Sequence, residues 1–196
     1  ASEQNILLAY RAIKKKEGSK TKGVNSTTIV EMGEKQPEEL VAYVRKRLQN
    51  FHPHAVRRVE IPKPDGRMRP LGIPTMEDRI VQQCIKQVLE PICEAKFYKH
   101  SYGFRPNRSA HHAVARAMFL VNISKYRYVV DVDIKGFFDN VDHGKLLKQL
   151  WTLGIRDKQL LCVLSKMLKA PIQGEGVPTK GVPQGGILSP LLSNVV

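Results

Sequence analysis

Residues 128–139 read YVVDVDIKGFFD, and the first seven of them decide how the rest of the chain is read. A period of two puts Val130, Val132 and Ile134 on one face and Val129, Asp131 and Asp133 on the other. Tyr128–Ile134 is therefore predicted as a strand carrying Asp133 at its carboxyl end. A carboxylate on a strand end is a rigid place to hold a hard cation, and Mg²⁺ takes one or two carboxylates together with phosphates and water. The same residue would serve as a cap for the turn that follows, so the pattern alone leaves ligand and cap side by side. Asp131 shares the face, as a second ligand or as a salt-bridged accessory acid. Asp139 and Asp142 stand before a helix and read as turn and cap residues.

Upstream, Ile6, Leu7, Tyr10 and Ile13 recur at helical spacing, predicting a helix over Asn5–Lys16. A polar basic loop, GSKTKGVN, covers residues 18–25. Pro37 opens a second helix to about Asn50, with Glu38 and Glu39 where the helix dipole favours acids. Between Arg57 and Ile73 two alternating runs flank Lys63-Pro64-Asp65-Gly66, the signature of an antiparallel hairpin with a basic tip. A long helix follows over Glu77–Phe97, with Ile80, Val81, Cys84, Ile85, Val88 and Leu89 on one stripe and Pro91 expected to bend or break it. Ser109 is an N-cap for a helix to about Val121. Downstream come helices over His143–Leu153 and Asp157–Lys169, then short strands near Pro171–Gln173 and Val177–Gly181. A last helix starts near Leu188, and the chain is read as stopping inside it, as a fragment would. The class is α+β and helix-rich.

The balance of charge points to a polyanionic partner. Of 196 residues, 32 are Lys or Arg and 18 Asp or Glu, a net charge of +14. Residues 1–125 hold 23 basic and 12 acidic groups, net +11, leaving net +3 for residues 126–196. The first two thirds is the part suited to phosphates. Cys84, Cys93 and Cys162 have no metal-ligand spacing and read as small buried apolar residues in a reducing compartment. No apolar run approaches the ~20 residues of a membrane span, and Ala-Ser-Glu-Gln is no signal peptide, so the expected location is cytoplasmic, with no membrane partner.

Four groups of side chains carry further chemistry. Thr179–Pro190, TKGVPQGGILSP, lets backbone approach a ligand closely and offers Gln184 to a nucleotide, although a plain strand-to-helix turn uses the same residues. Lys63 and Arg69 flank the hairpin turn with Arg67 between them, suited to clamping a triphosphate or simply solvated. Arg105 and Arg108 alternate with Tyr102 and Phe104, a pattern for stacking on single strands or for packing a loop. Lys14, Lys15, Lys16, Lys20 and Lys22 form a basic run, individually solvated or jointly RNA-binding. Phe138, five positions after Asp133, reads locally as a core aromatic.

Taken in order, RRVEIPKPDGRMRPLGIPTMEDRIVQQCIKQVLEPI, SYGFRPNRSAHHAV, VVDVDIKGFFDNVDH and GVPQGGILSPLLSNV resemble the group II intron reverse transcriptases, or intron-encoded maturases. The resemblance runs over nearly the whole chain. It implies a right-hand polymerase, with a fingers region over residues 1–125 and a partial palm with an incomplete sheet over 126–196. It implies synthesis of DNA on an RNA template from a DNA primer and dNTPs, with two Mg²⁺ ions, and binding of the intron RNA to assist splicing. It makes Asp133 the first catalytic metal-binding aspartate, with the Ile134 backbone beside it. Phe138 becomes the steric gate at the sugar 2′ position, Gln184 the residue beside nucleotide and template base, and Lys63 and Arg69 the triphosphate contacts. Oligomeric state stays open, with a dimer among the options.

Two departures stand out. The family's Tyr-x-Asp-Asp segment, bearing the remaining carboxylates, is expected after the last palm helix and is not in this sequence, so the chain by itself is expected to be inactive. The family's Gly-Val-Asp-Gly reads Gly23-Val24-Asn25-Ser26 here. Two functions from different classes follow: a polymerase, or an RNA-binding splicing factor that uses the polymerase fold as a scaffold. Asp133, Phe138 and Gln184 favour the first, because a pure binder has no use for a metal aspartate.

Overall fold

The computed structural model describes residues 1–196 except Lys63 and Asp65. Helix α1 (Glu3–Lys14) is capped by Ser2, whose hydroxyl accepts from the Asn5 N–H at 3.3 Å. Its apolar stripe, Ile6, Ala9 and Ile13, is buried and packs chiefly on α4 (Met76–Glu94). A short helix, α2 (Ile29–Gly33), lies between α1 and α3 (Pro37–Gln49). No apolar period announces α2, but Thr28 and Glu31 carry its signal as a capping box: the Glu31 carboxylate accepts from the Thr28 N–H at 3.1 Å.

Strands β1 (Arg57–Pro62) and β2 (Met68–Ile73) pair antiparallel from Arg57↔Ile73 to Pro62↔Met68, as the alternating runs predict. Lys63 and Asp65, on which the turn chemistry was read, lie outside the described residues. Beyond α4 come α5 (Ala110–Asn122), the short α6 (Phe137–Asn140), α7 (His143–Thr152), α8 (Lys158–Leu168) and α9 (Ser189–Ser193). Asp142 and Asp157 cap α7 and α8, accepting from Lys145 N at 2.7 Å and from Gln159 N at 2.8 Å. One apolar cluster joins α1, α3 and α4 to α7, α8 and α9 through residues such as Val44, Leu89, Leu146, Leu164 and Leu191.

Several expectations change. Helix α4 continues through Pro91 to Glu94, because a proline one turn from the end removes little of the hydrogen-bond ladder. Tyr128–Ile134 forms no strand: a strand exists by pairing, and these residues pair with nothing described, leaving Tyr128 93% and Val130 85% exposed. Helix α5, just before it, buries none of its side chains. Ser109 stands at the α5 N-cap position without a side-chain cap bond. The short strands near 171–181 reduce to single bridges, Val56↔Ile172 and Ile172↔Gly176. Cys84 and Cys93 are buried as expected, whereas Cys162 is exposed.

The first turn of α4 buries three consecutive charged side chains, Glu77, Asp78 and Arg79, each with partners from segments distant in sequence. Asp78 accepts from Arg47 at 2.6 Å and from the His54 N–H at 2.8 Å. Arg79 donates to the carbonyls of Pro74, Gly18 and Thr21. Glu77 accepts from the Asn25 side-chain amide at 3.0 Å. Burial pushes the Glu77 carboxyl up, but hydrogen bonds from its own N–H, Asn25 and Thr27 outweigh burial and hold it below the ordinary glutamate range. The departure at position 25 thus has a physical counterpart, since an amide donates to Glu77 where a carboxylate would repel it.

We expect Asn25→Asp to destabilise the chain by about 1–3 kcal/mol at neutral pH, by removing a donor and adding a like charge. A depressed Glu77 contributes stability above the unfolded glutamate pKa and loses it as pH falls through its folded value. The variant should therefore converge on the parent only as pH falls through the depressed Glu77 value, below the ordinary glutamate range, where the carboxyls become protonated. Urea denaturation across pH checks this; a deficit that does not shrink in acid would remove the like-charge account.

Candidate nucleotide site between the hairpin and the 181–186 loop

The hairpin is joined to the glycine-rich loop by backbone. The Gly72 N–H donates to the Gln184 carbonyl at 2.6 Å. Gly185 passes so close that a Cβ on it would lie 2.6 Å from the Gly72 carbonyl oxygen, and its φ of +103° also favours glycine. At the loop's other side Gly181 donates to Val141 O at 2.7 Å and Val182 to Phe138 O at 2.8 Å. His143, buried, donates from Nε2 to the Gly181 carbonyl at 2.7 Å, which places the proton on that nitrogen. The loop is thus stitched both to β2 and to the 138–141 turn.

This stitching brings two expected site residues, Arg69 and Gln184, together and ties the backbone of a third, Phe138, to the loop at Val182. Arg69 Nε donates to Gln184 Oε1 at 3.0 Å. Phe138 follows the Phe137 ring edge-on at 5.8 Å and meets Phe104 edge-on at 6.4 Å. Lys63 lies outside the described residues. A tie from the hairpin to the neighbouring 172–176 turn carried no sequence signal: Arg58 grips Glu175 with Nε at 2.6 Å and Nη2 at 2.7 Å, which holds the Glu175 carboxyl below the ordinary range. Opposite charges at Arg58 and Glu175 gave no local signal, because the two are separated by 117 positions.

Asp133 and Ile134 are not brought to that cluster by any described contact; both are exposed on the unpaired 128–134 stretch, as is Asp131. Among the described residues no group of three or more His, Cys, Asp or Glu could hold a metal ion. Asp133 with the Ile134 carbonyl is a partial donor set, too small to cage two divalent ions.

The basic residues divide. Lys14, Lys15, Lys16, Lys20 and Lys22 are all exposed. Lys16 is held below the ordinary lysine range by partial desolvation and then by the neighbouring Lys86 charge. Arg108 rests over the Tyr102 ring at 5.7 Å and donates to the Lys99 carbonyl at 2.6 Å. Arg105, expected with the RNA-facing set, is buried instead. Its guanidinium pairs with Glu94 at 2.8 Å and donates to the carbonyls of Tyr98 and Ser101, fixing a loop in which Phe104 has φ 55°. No helix among the described residues is long and apolar enough to cross a membrane.

With this geometry, residues 61–196 match the family model described as reverse transcriptase (RNA-dependent DNA polymerase), and the chain belongs to that family. Within it the similarity is to group II intron-encoded proteins. The chain is 37% identical over 192 residues to the group II intron-encoded protein LtrA of Lactococcus lactis, covering 96% of this chain and 31% of that one. Protein YkfC of Escherichia coli is 41% identical over 153 residues, covering 75% of this chain and 40% of its own length. Among solved structures, a Cas6-RT-Cas1–Cas2 complex matches with a TM-score of 0.58 and 25% identity, over 99% of this chain and 20% of that one. The chain therefore spans well under half the length of these relatives. The fold is the α+β fold of right-hand polymerase fingers and partial palm.

We expect Gly185→Ala to destabilise by more than ~2 kcal/mol, since it meets backbone at 2.6 Å and carries a positive φ. Gly66→Ala, with φ +80° but nothing within 4 Å of its Cβ, should cost only about 1 kcal/mol. Thermal melts rank the two; equal losses would mean that the close approach of loop and hairpin is not a constraint.

Proposed function

We propose that this chain is the nucleotide-selecting and RNA-gripping portion of an RNA-directed DNA polymerase encoded by a group II intron, and that the whole protein also binds its intron RNA to assist splicing. The contact between Arg69 and Gln184, beside Phe138, carries this reading. It sets a donor-rich side chain on a hairpin against an amide on a glycine-rich loop, with an aromatic ring nearby to sense the sugar. Residues 1–125 act as fingers and 126–196 as part of a palm. Arg69 and Lys63 clamp the triphosphate, Gln184 meets the incoming nucleotide, and Phe138 excludes or admits a 2′ hydroxyl. In the whole protein Asp133 would supply one carboxylate toward a divalent ion, which would stabilise charge on the transferring phosphate. The lysines at 14–16, 20 and 22, with Arg108, hold RNA phosphates.

In the full-length protein Asp133→Asn should abolish primer extension, because ligand charge is lost while shape is kept, and should leave intron RNA affinity within about twofold. Retained synthesis would return Asp133 to a turn cap and leave the splicing scaffold as the better reading.

Intron RNA binding should also weaken steeply with salt. Replacing Lys20 and Lys22 together by Ala should lower the slope of log affinity against log salt by about 2. Titrations at several salt concentrations measure it, and an unchanged slope would move the RNA contact elsewhere.

A further inference from the structure

Asp139 reads from sequence as a turn residue, yet the fold places it against the nucleotide site. It lies on α6, and its backbone is held there by the Val182-to-Phe138 and Gly181-to-Val141 hydrogen bonds on either side. The approach is tight: a Cβ on Gly181 would come within 3.0 Å of the Asp139 carbonyl oxygen. From this position Asp139 Oδ1 accepts from Gln184 Nε2 at 3.4 Å, while Gln184 Oε1 accepts from Arg69 Nε at 3.0 Å.

The two neighbours make opposite demands on one amide. A guanidinium only donates and a carboxylate only accepts, so Gln184 satisfies both in a single orientation, oxygen toward Arg69 and nitrogen toward Asp139. Rotating the amide by half a turn would set donor against donor at Arg69 and acceptor against acceptor at Asp139. Nearby cations have partners of their own: Arg58 is held bidentately by Glu175, and Lys180 donates to Asn140 Oδ1 at 2.8 Å. We propose that Asp139 is a positioning residue for nucleotide selection, acting through Gln184 by fixing which end of its amide faces Arg69 and the incoming nucleotide. This rests on the nucleotide-site reading above. Asp139 itself need not touch the substrate.

The test is steady-state primer extension by the full-length protein with varied dNTP, comparing Asp139→Ala, Asp139→Asn, Gln184→Ala and the Asp139→Ala/Gln184→Ala pair. Asp139 is exposed, so its substitution does not open the core. Asp139→Ala should raise KM for dNTP about 5- to 10-fold, with a much smaller change in kcat and in affinity for template and primer. Asp139→Asn keeps an acceptor oxygen and should recover most of that rise. In the Gln184→Ala background, Asp139→Ala should add nothing further, because the group it orients is gone. Independent, multiplying effects in the double variant would overturn the proposal while sparing the site, and so would an unchanged KM in Asp139→Ala. An unchanged KM in Gln184→Ala would overturn the nucleotide-site reading, and the proposal with it.

Discussion

The 2.6 Å hydrogen bond from the Gly72 N–H to the Gln184 carbonyl fixes the geometry on which the site depends. A two-stranded hairpin has no core of its own and is marginal in isolation. Here its base is anchored at backbone level, where distance is set by main-chain atoms and not by flexible side chains. Glycine at 72 and at 185 is what permits this approach; a Cβ at 72 would meet the Val56 side chain at 2.7 Å. Once the base is fixed, Arg69, three residues along β2, falls within reach of the Gln184 side chain. The bidentate Arg58–Glu175 pair joins the hairpin to the 174–176 turn as well, through exposed side chains.

The other frame is the first turn of α4. Burying Glu77, Asp78 and Arg79 in succession would be costly if each lacked a partner. Their partners come from the 18–25 loop, from Arg47 on α3 and from the segment at His54. A helix terminus thereby gathers two irregular segments and the end of α3 beside the strand that leads into the site. Arg105 does the same at the far end, where it draws the 98–105 loop onto Glu94 and so sets Phe104 against Phe138.

What was legible in the sequence follows from the range of the interactions involved. The hairpin, the cap at Asp142, the start of α8 at Asp157 and the stripes of α1 and α4 depend on neighbours within a few residues, and their patterns are local. Gln184, Phe138 and Arg69 take their roles from a resemblance; Gln184 and Arg69 also carry local signals of chemistry, whereas Phe138 reads locally as a core aromatic. Asp139 and the Arg58–Glu175 pair were missed because their partners lie tens of residues away. Arg105 was misjudged for a related reason: a basic residue between aromatics reads the same whether its head faces solvent or a buried carboxylate. Tyr128–Ile134 has strand composition, but composition cannot supply the partner that a ladder needs.

The placement of the thiols makes this chain convenient to observe. Burial pushes Cys84 and Cys93 up to about 11, so at neutral pH neither offers a thiolate to an alkylating reagent. Cys162 stands exposed on α8. A maleimide-linked fluorophore or spin label applied to the folded chain should settle on that one sulfur without any cysteine being removed first. From there it provides a fixed reference on the helical body, against which a second probe placed on the hairpin would report whether the Gly72 anchorage holds or slips when nucleotide is added.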